Sequence, residues 1–361
     1  MGHGHRAAAA AVLAAGLCLS SCAFSEPEEK PVTDTLTAST TAAAAAPAAV
    51  ETTTTAPEPA PLPDIPREVA PEYIVGDGDV TLYNVTPIAE AFHSGDRSQL
   101  DETACAILDK AAEILDGITS ADMSDYEKEL AVHDYIIKNC TYDRGALAVI
   151  PSPAEHGDDP YGALINGTAI CKGYATAFRL FMEMLDIPCE TVFYLDPMSS
   201  AHDHAWNIVT IDGSPYYVDV TWDDPIPDDD KRLTYHEYFN VSRHTLDYDH
   251  ELSHSLPETP VLTYAYASVE LSPEPNSAEE LAALAQSAIE KDNCSVIFIP
   301  SPDGIWKKSL SRNSDATFHI TGSELLTAIN SGFNAVGCRL TEIKSCETDR
   351  GFALTVFFKR N

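Results

Sequence analysis

The stretch Gly167-Thr168-Ala169-Ile170-Cys171-Lys172-Gly173-Tyr174-Ala175 reads as a short loop that turns into a helix with a cysteine in its first turn. Downstream of Cys171 the apolar positions Tyr174, Ala177, Phe178, Phe181, Met182 and Leu185 follow the spacing of a helix with one buried face. Thr168 is placed to cap that helix, which would put Cys171 at its third position. The first N–H groups of a helix have no intrahelical partner, and its dipole gathers partial positive charge there. A thiolate is stabilised at such a place and becomes a better nucleophile near neutral pH.

A nucleophile needs a base, and the base needs an orienting partner. His204-Ala205-Trp206-Asn207 opens one strand, His204–Ile211, and Tyr217-Val218-Asp219-Val220-Thr221-Trp222 belongs to the next, Pro215–Trp222. Asp212-Gly213 between them is a hairpin signal. Side chains alternate along a strand, so His204, Trp206 and Ile208 share a face. A two-residue turn sets Trp206 opposite Asp219 and leaves His204 diagonal to it, within reach. A three-residue loop would send Asp219 to the other face unless a bulge restored it. A Cys171–His204–Asp219 site therefore predicts the parity of the hairpin. The backbone N–H of Cys171 is one candidate donor to an oxyanion, and a second is not identifiable.

Around this centre the chain has a readable order. It has 361 residues and a formal net charge of −34, which argues against nucleic-acid binding because phosphate would be repelled. Residues 1–22 read as an export signal: a weakly basic start, then an apolar run from Ala7 to Leu19 too short for a stable span. It ends in Leu19-Ser20-Ser21-Cys22, which resembles a bacterial lipobox and implies lipid attachment at Cys22, hence an extracytoplasmic, membrane-anchored protein. Residues 23–66, rich in Thr, Ala, Pro and Glu, read as a disordered tether.

Further elements follow from period and caps. Asp79–Val85 reads as a short strand, and the apolar spacing from Leu100 as a helix ending near Gly117. Ser124-Asp125-Tyr126-Glu127 is a capping-box pattern opening another helix, with Tyr126, Leu130, His133 and Ile137 on one face. His133 on that face reads as a satisfied core histidine. Glu190–Leu195, Tyr235–Ser242 and Tyr264–Leu271 read as strands, the second packing near the site. Ala278–Ile289 reads as a helix, Ser295–Ile299 as a strand and Thr321–Ile329 as a capped helix. Val336–Lys344 and Phe352–Lys359 alternate like a terminal hairpin. Residues 67–256 and 257–361 read as two domains, the second a small α+β unit of unassigned role.

The segment from about 100 to 255 resembles the transglutaminase-like superfamily, as seen in bacterial transglutaminase-core proteins. The matching text is Tyr161-Gly162-Ala163-Leu164, Cys171-Lys172-Gly173-Tyr174-Ala175-Thr176-Ala177-Phe178, Leu185-Asp186-Ile187-Pro188-Cys189, His204-Ala205-Trp206-Asn207 and Tyr217 to Trp222. Cys140-Thr141-Tyr142-Asp143 and Tyr238 to Ser242 are also similar. The resemblance implies an α+β, papain-like core with the nucleophile helix packed on an antiparallel sheet. It implies Cys171 as nucleophile, His204 as general base and acid, and Asp219 as orienter, with no cofactor and no metal. The acidic run Asp228-Asp229-Asp230 reads as solvated loop rather than a calcium site.

Trp206, Trp222 and Tyr174 are candidates for the walls of the site or its oxyanion pocket. Lys172 reads as a surface residue whose charge would favour a thiolate, and His202 as a neighbour of His204 that precedes the strand. His236, His244, His250 and His254 are scattered and lack zinc-ligand spacing with cysteines. Outside the membrane, Cys105, Cys140, Cys189, Cys294, Cys338 and Cys346 have the opportunity to pair; Cys105 with Cys140, and two of the C-terminal three, are the pairs considered. The function expected is an anchored cysteine enzyme acting on protein or peptide amides, by acyl transfer or hydrolysis. The alternatives are a peptide- or cell-wall-binding module on the same fold, and an accessory enzyme of envelope assembly using a cell-wall peptide.

Overall fold

The computed structural model describes residues 67–361 apart from 147–153, 225–232, 302 and 313–317. The export signal, Cys22, the tether and Asp228 to Asp230 lie outside the described residues. The fold is α+β, with a helix carrying Cys171 packed on a mainly antiparallel sheet.

That sheet has four strands in the order Ile74–Val75, Cys189–Tyr194, His204–Ile211, Ser214–Val218. The first pair is parallel and the other two are antiparallel. Helices α1 (Thr86–Ser94), α2 (Glu102–Ile118) and α3 (Asp125–Asn139) precede α4 (Cys171–Met184) in the chain. Ile88, Ile107, Leu108, Leu115, Val132 and Ile136 bury their side chains with Phe178, Phe181 and Met182 of α4. Each such side chain stabilises the fold by about 1.5–3 kcal/mol on burial. On its other side α4 is fixed to the sheet by Asn207, whose buried Nδ2 donates to the Ala175 carbonyl at 3.1 Å and to Thr191 at 3.2 Å.

The hairpin has the two-residue turn. Ile211 pairs with Ser214 and Asn207 with Val218. Asp212 (φ 48°) and Gly213 (φ 78°) both occupy the left-handed region, as a type I′ turn requires. The second strand is shorter than expected: it stops at Val218, and Asp219 begins a turn. Its Oδ1 accepts the N–H groups of Thr221 (2.9 Å) and Trp222 (3.1 Å), which draws the chain out of the sheet.

Residues from 271 onward build a second sheet, ordered Cys338–Thr348, Gly351–Arg360, Ser295–Phe298, Leu271–Ser272. Helices Ala278–Glu290 and Ser323–Ala335 cover it through Leu281, Ala285, Leu325, Ile329 and Phe333, packed with Val356 and Phe358. The two cores interlock. Leu233 joins the second, while Ala265, Tyr266, Ile297 and Ala353 join the first.

Several expectations are corrected. Thr168 does not cap α4; Thr168–Ala169 pairs in parallel with Thr141–Tyr142, so Ile170 becomes the N-cap and Cys171 the first helical residue. Tyr235–Ser242 is not a strand: Val241 makes a single bridge to Tyr217, and Asn240 (φ 49°) breaks the extended run. Tyr264–Leu271 instead contains a helical turn, Tyr266–Val269. The helix expected from Thr321 has Gly322 at its N-cap, without a side-chain bond, and continues to Ala335. The cysteines considered for pairing form no disulfide among the described residues. Cys338 and Cys346 share one strand, eight residues apart, so they are separated by about 26 Å at 3.3 Å per residue. Cys294 and Cys338 lie on opposite sides of Gly351–Arg360, two strand spacings apart at roughly 4.8 Å each, beyond disulfide reach.

The capping box at Ser124 and Glu127 is formed, and α3 carries a carboxylate that its pattern did not single out. Glu129 is fully buried, with Oε2 accepting from Asn240 Nδ2 at 2.8 Å and no partner at Oε1. Burial pushes its carboxyl up to about 8. Because the folded value is raised, this group favours folding in full below about pH 4.5, and that contribution is lost as pH rises through 8. Glu129→Gln is expected to flatten this part of the stability profile, raising the denaturation midpoint at pH 9 relative to the parent while leaving pH 4 nearly unchanged. Urea denaturation across pH checks it.

Candidate active site

The site forms where the start of α4 meets the start of the strand His204–Ile211. Gly173 permits the first contact. A Cβ there would stand 2.6 Å from the Gly157 carbonyl oxygen and 2.7 Å from the Ala169 Cβ, so only glycine lets the 157–159 loop cross the first turn. The same loop accepts the Ile170 N–H through Gly157, 2.7 Å away.

The structure brings Cys171, His204 and Asp219 together. His204 Nε2 lies 2.5 Å from Asp219 Oδ2, and its ring lies beside the Cys171 thiol. The thiol has a long contact with the Asp203 carbonyl, 3.9 Å. Asp219 is fully buried and the His204 side chain largely so. Burial works against charge on both. For His204 the Asp219 carboxylate outweighs it, with the Cys171 thiol adding to the effect, and its imidazolium holds its proton up to about 10. For Asp219 the His204 and His250 imidazoles outweigh it, and its carboxyl falls well below the usual carboxylate range. The arrangement is an imidazole held between a thiol and an anion, with its orientation set by the carboxylate.

The expected wall residues separate by role. Trp222 stands beside the imidazole of His204, ring centroids 5.5 Å apart. Trp206 is buried, 5.7 Å from the same ring, and its indole N–H has no hydrogen-bond partner. Tyr174 lies in the core under α4, its hydroxyl donating to Asp224 Oδ2 at 2.5 Å, so that hydroxyl serves the scaffold. Lys172 lies over the Phe193 ring, 5.0 Å from its centroid. His133 is fully buried with both ring nitrogens on carboxylates, Asp134 (3.2 Å) and Asp223 (3.0 Å).

Two residues of the site were not anticipated. Tyr142 packs by the nucleophile; burial, then the thiol, raises the phenol above its ordinary value. His250 reaches the far side of Asp219, its Nε2 3.0 Å from the Oδ2 that His204 also uses. Tyr142 was legible only as a helix end, since its place depends on the pairing of 141–142 with 168–169. No spacing signals His250, which lies 31 positions beyond Asp219 in the chain.

Two groups have a metal-like donor set, His204–Asp219–His250 and His133–Asp134–His236. In each, a nitrogen and an oxygen stand at hydrogen-bond distance, 2.5 Å and 2.7 Å. Tetrahedral ligands of one zinc ion, each at about 2.0 Å, would be spread to roughly 3.3 Å. As placed, these side chains bind one another.

Residues 112–220, which include Cys171, His204 and Asp219, match the family model described as the transglutaminase-like superfamily. This segment belongs to the transglutaminase-like superfamily. No curated protein matches the chain. Among solved structures, a TGase is 16% identical with a TM-score of 0.31, the match covering 52% of this chain and 46% of that one. A candidate cysteine protease from Cytophaga hutchinsonii is 20% identical with a TM-score of 0.24, over 34% of this chain and 44% of its own. The chain thus spans less than half of either structure. Within the transglutaminase-like segment lie the nucleophile helix and the whole hairpin; Tyr238 and His250 lie outside it.

Asp219→Asn keeps the shape but turns an acceptor into an amide and frees the His204 tautomer. Alkylation of Cys171 is expected to slow by on the order of 100-fold or more. The His204 contribution to stability is complete below about pH 6.5 and is lost as pH rises through 10, so the variant's melting temperature should vary less than the parent's over that window. Stopped-flow alkylation and thermal melts across pH read both.

Proposed function

We propose that this chain is a cysteine enzyme acting on protein or peptide amides through a Cys171 thioester. One observation carries the proposal: the Cys171 thiol lies beside an imidazole whose Nε2 rests on a buried carboxylate. In this reading His204 takes the Cys171 thiol proton, the sulfur attacks the amide carbon and the carbonyl electrons move to oxygen. The positive end of α4 and an N–H of its first turn stabilise that oxygen. As the tetrahedral species collapses, the C–N bond breaks and the His204 imidazolium gives its proton to the leaving amine. A second amine or water then attacks the thioester, His204 takes the proton, and the thiolate leaves. An amine acceptor makes the reaction a cross-link; water makes it a hydrolysis. The lipobox-like text ending at Cys22 supports an anchored, extracytoplasmic setting, in which cell-wall peptides are reachable substrates.

A second reading, a peptide-binding module on the same fold, is favoured by the burial of the nucleophile, which is 6% exposed, and by Tyr142 packed beside it. The two readings separate in one set of measurements. At pH 7, iodoacetamide is expected to label Cys171 faster than the other cysteines, and Cys171→Ala to lose that label. With glutamine-containing peptides and an amine donor, the parent is expected to release ammonia or form product, and Cys171→Ala to do neither. Peptide binding without turnover in both proteins, together with slow labelling, would establish the module instead.

A further inference from the structure

Asp219 serves two imidazoles with one oxygen. Oδ2 is 2.5 Å from His204 Nε2 and 3.0 Å from His250 Nε2. The other nitrogen of His250, Nδ1, is 2.9 Å from Asp249 Oδ1. Ionised carboxylate oxygens only accept, so a ring with a carboxylate at each nitrogen donates from both. An imidazole with two N–H groups is a cation. Its surroundings suit one: the side chain is 1% exposed, its ring centroid is 4.2 Å from Trp222, and Trp206 and Tyr238 stand at 5.2 Å and 5.4 Å. Asp249 is held in turn by the Tyr238 hydroxyl, which donates to Oδ2 at 2.6 Å. The backbone is fixed as well, since the His250 N–H donates to the Leu246 carbonyl at 3.0 Å.

We propose that His250 is a positioning residue of the Cys171–His204–Asp219 site, a second, cationic imidazole that fixes the shared carboxylate oxygen and weakens its pull on His204. The inference rests on the cysteine-enzyme reading given above. The physical need is clear. His204 must release its proton to a leaving group, yet a buried carboxylate facing it alone would hold that proton more tightly. A second donor on the same oxygen divides the negative charge, and a second positive charge nearby opposes the first. The titratable groups facing the His250 ring are Asp219, Asp249, His204 and Tyr238. None touches the thiol except His204, so the effect of residue 250 on sulfur reactivity runs through Asp219 and His204.

The test uses the full chain with His250→Phe and His250→Gln. Phenylalanine keeps a ring between the tryptophans and loses both donors. Glutamine can return one neutral donor to Asp219. Alkylation of Cys171 by iodoacetate, followed by mass spectrometry, gives a bell-shaped pH profile whose alkaline limb reports loss of the His204 proton. In His250→Phe the maximum rate is expected to fall about tenfold or more, as for loss of a hydrogen bond to a charged group, and the alkaline limb to move to higher pH. In His250→Gln the rate is expected to recover to within about threefold of the parent, with the limb still displaced because the cation is gone. If His250→Phe does not fold, as read by circular dichroism, the limb of His250→Gln decides. A parent-like limb in His250→Gln overturns the proposal, as does a folded His250→Phe with parent-like rate and limb. Failure of the enzyme reading looks different: the parent's own Cys171 then reacts no faster than free cysteine. In that case nitrogen NMR of histidine-labelled protein at pH 7 still settles the point. Two protonated ring nitrogens on His250 uphold the proposal; one overturns it.

Discussion

The structure turns on the burial of one carboxylate. Asp219 has no exposed surface, and an ion removed from water is costly unless donors replace its hydration. Four donors do so: His204 and His250 on one oxygen, the backbone of Thr221 and Trp222 on the other. They come from a strand, a loop and the turn that Asp219 itself opens. Each is therefore held where the carboxylate needs it, and the imidazole that faces Cys171 is aligned as a consequence.

The same turn carries two further carboxylates that act on the scaffold. Asp223 takes His133 Nε2 of α3 at 3.0 Å and the Tyr238 N–H at 3.0 Å. Asp224 takes the Tyr174 hydroxyl of α4 at 2.5 Å. Helix α3, helix α4 and the segment 238–250 are thus referred to one six-residue turn, Asp219 to Asp224. Removing one partner of a buried charge pair costs about 3–5 kcal/mol, because the other charge stays behind. The segment Tyr235–Ser242 is tied to the same scaffold by the Tyr238 N–H on Asp223, His236 on Asp134 and Asn240 on Glu129.

Much of this was legible from local pattern. The two-residue turn at Asp212-Gly213 set the register, and the register put Asp219 on the face of His204. The capping box at Ser124 and the apolar rhythm of α4 fixed two helices, because both depend on residues within a few positions of one another. The misreadings share a cause. Thr168 has the chemistry of a cap, but pairing with Thr141–Tyr142 claims its backbone for a strand. Tyr264–Leu271 has β-forming residues, but packing against the first core favours a helical turn. The C-terminal cysteines had the numbers for a disulfide, but Cys338 is set too far from Cys346 and Cys294 by the sheet.

The chain by itself determined the nucleophile helix and the hairpin register that turns His204 toward Asp219, because each rests on periodicity, turn chemistry or the alternation of a strand; Cys171 was expected beside them from the family resemblance, and the packing of α4 on the sheet brings it there. Tertiary structure alone decided that His250 shares the Asp219 oxygen, that Tyr142 packs beside Cys171 and that Glu129 is buried. Those contacts join segments with no fixed spacing between them. They arise because buried polar groups take whichever partners the folded chain brings within hydrogen-bond reach.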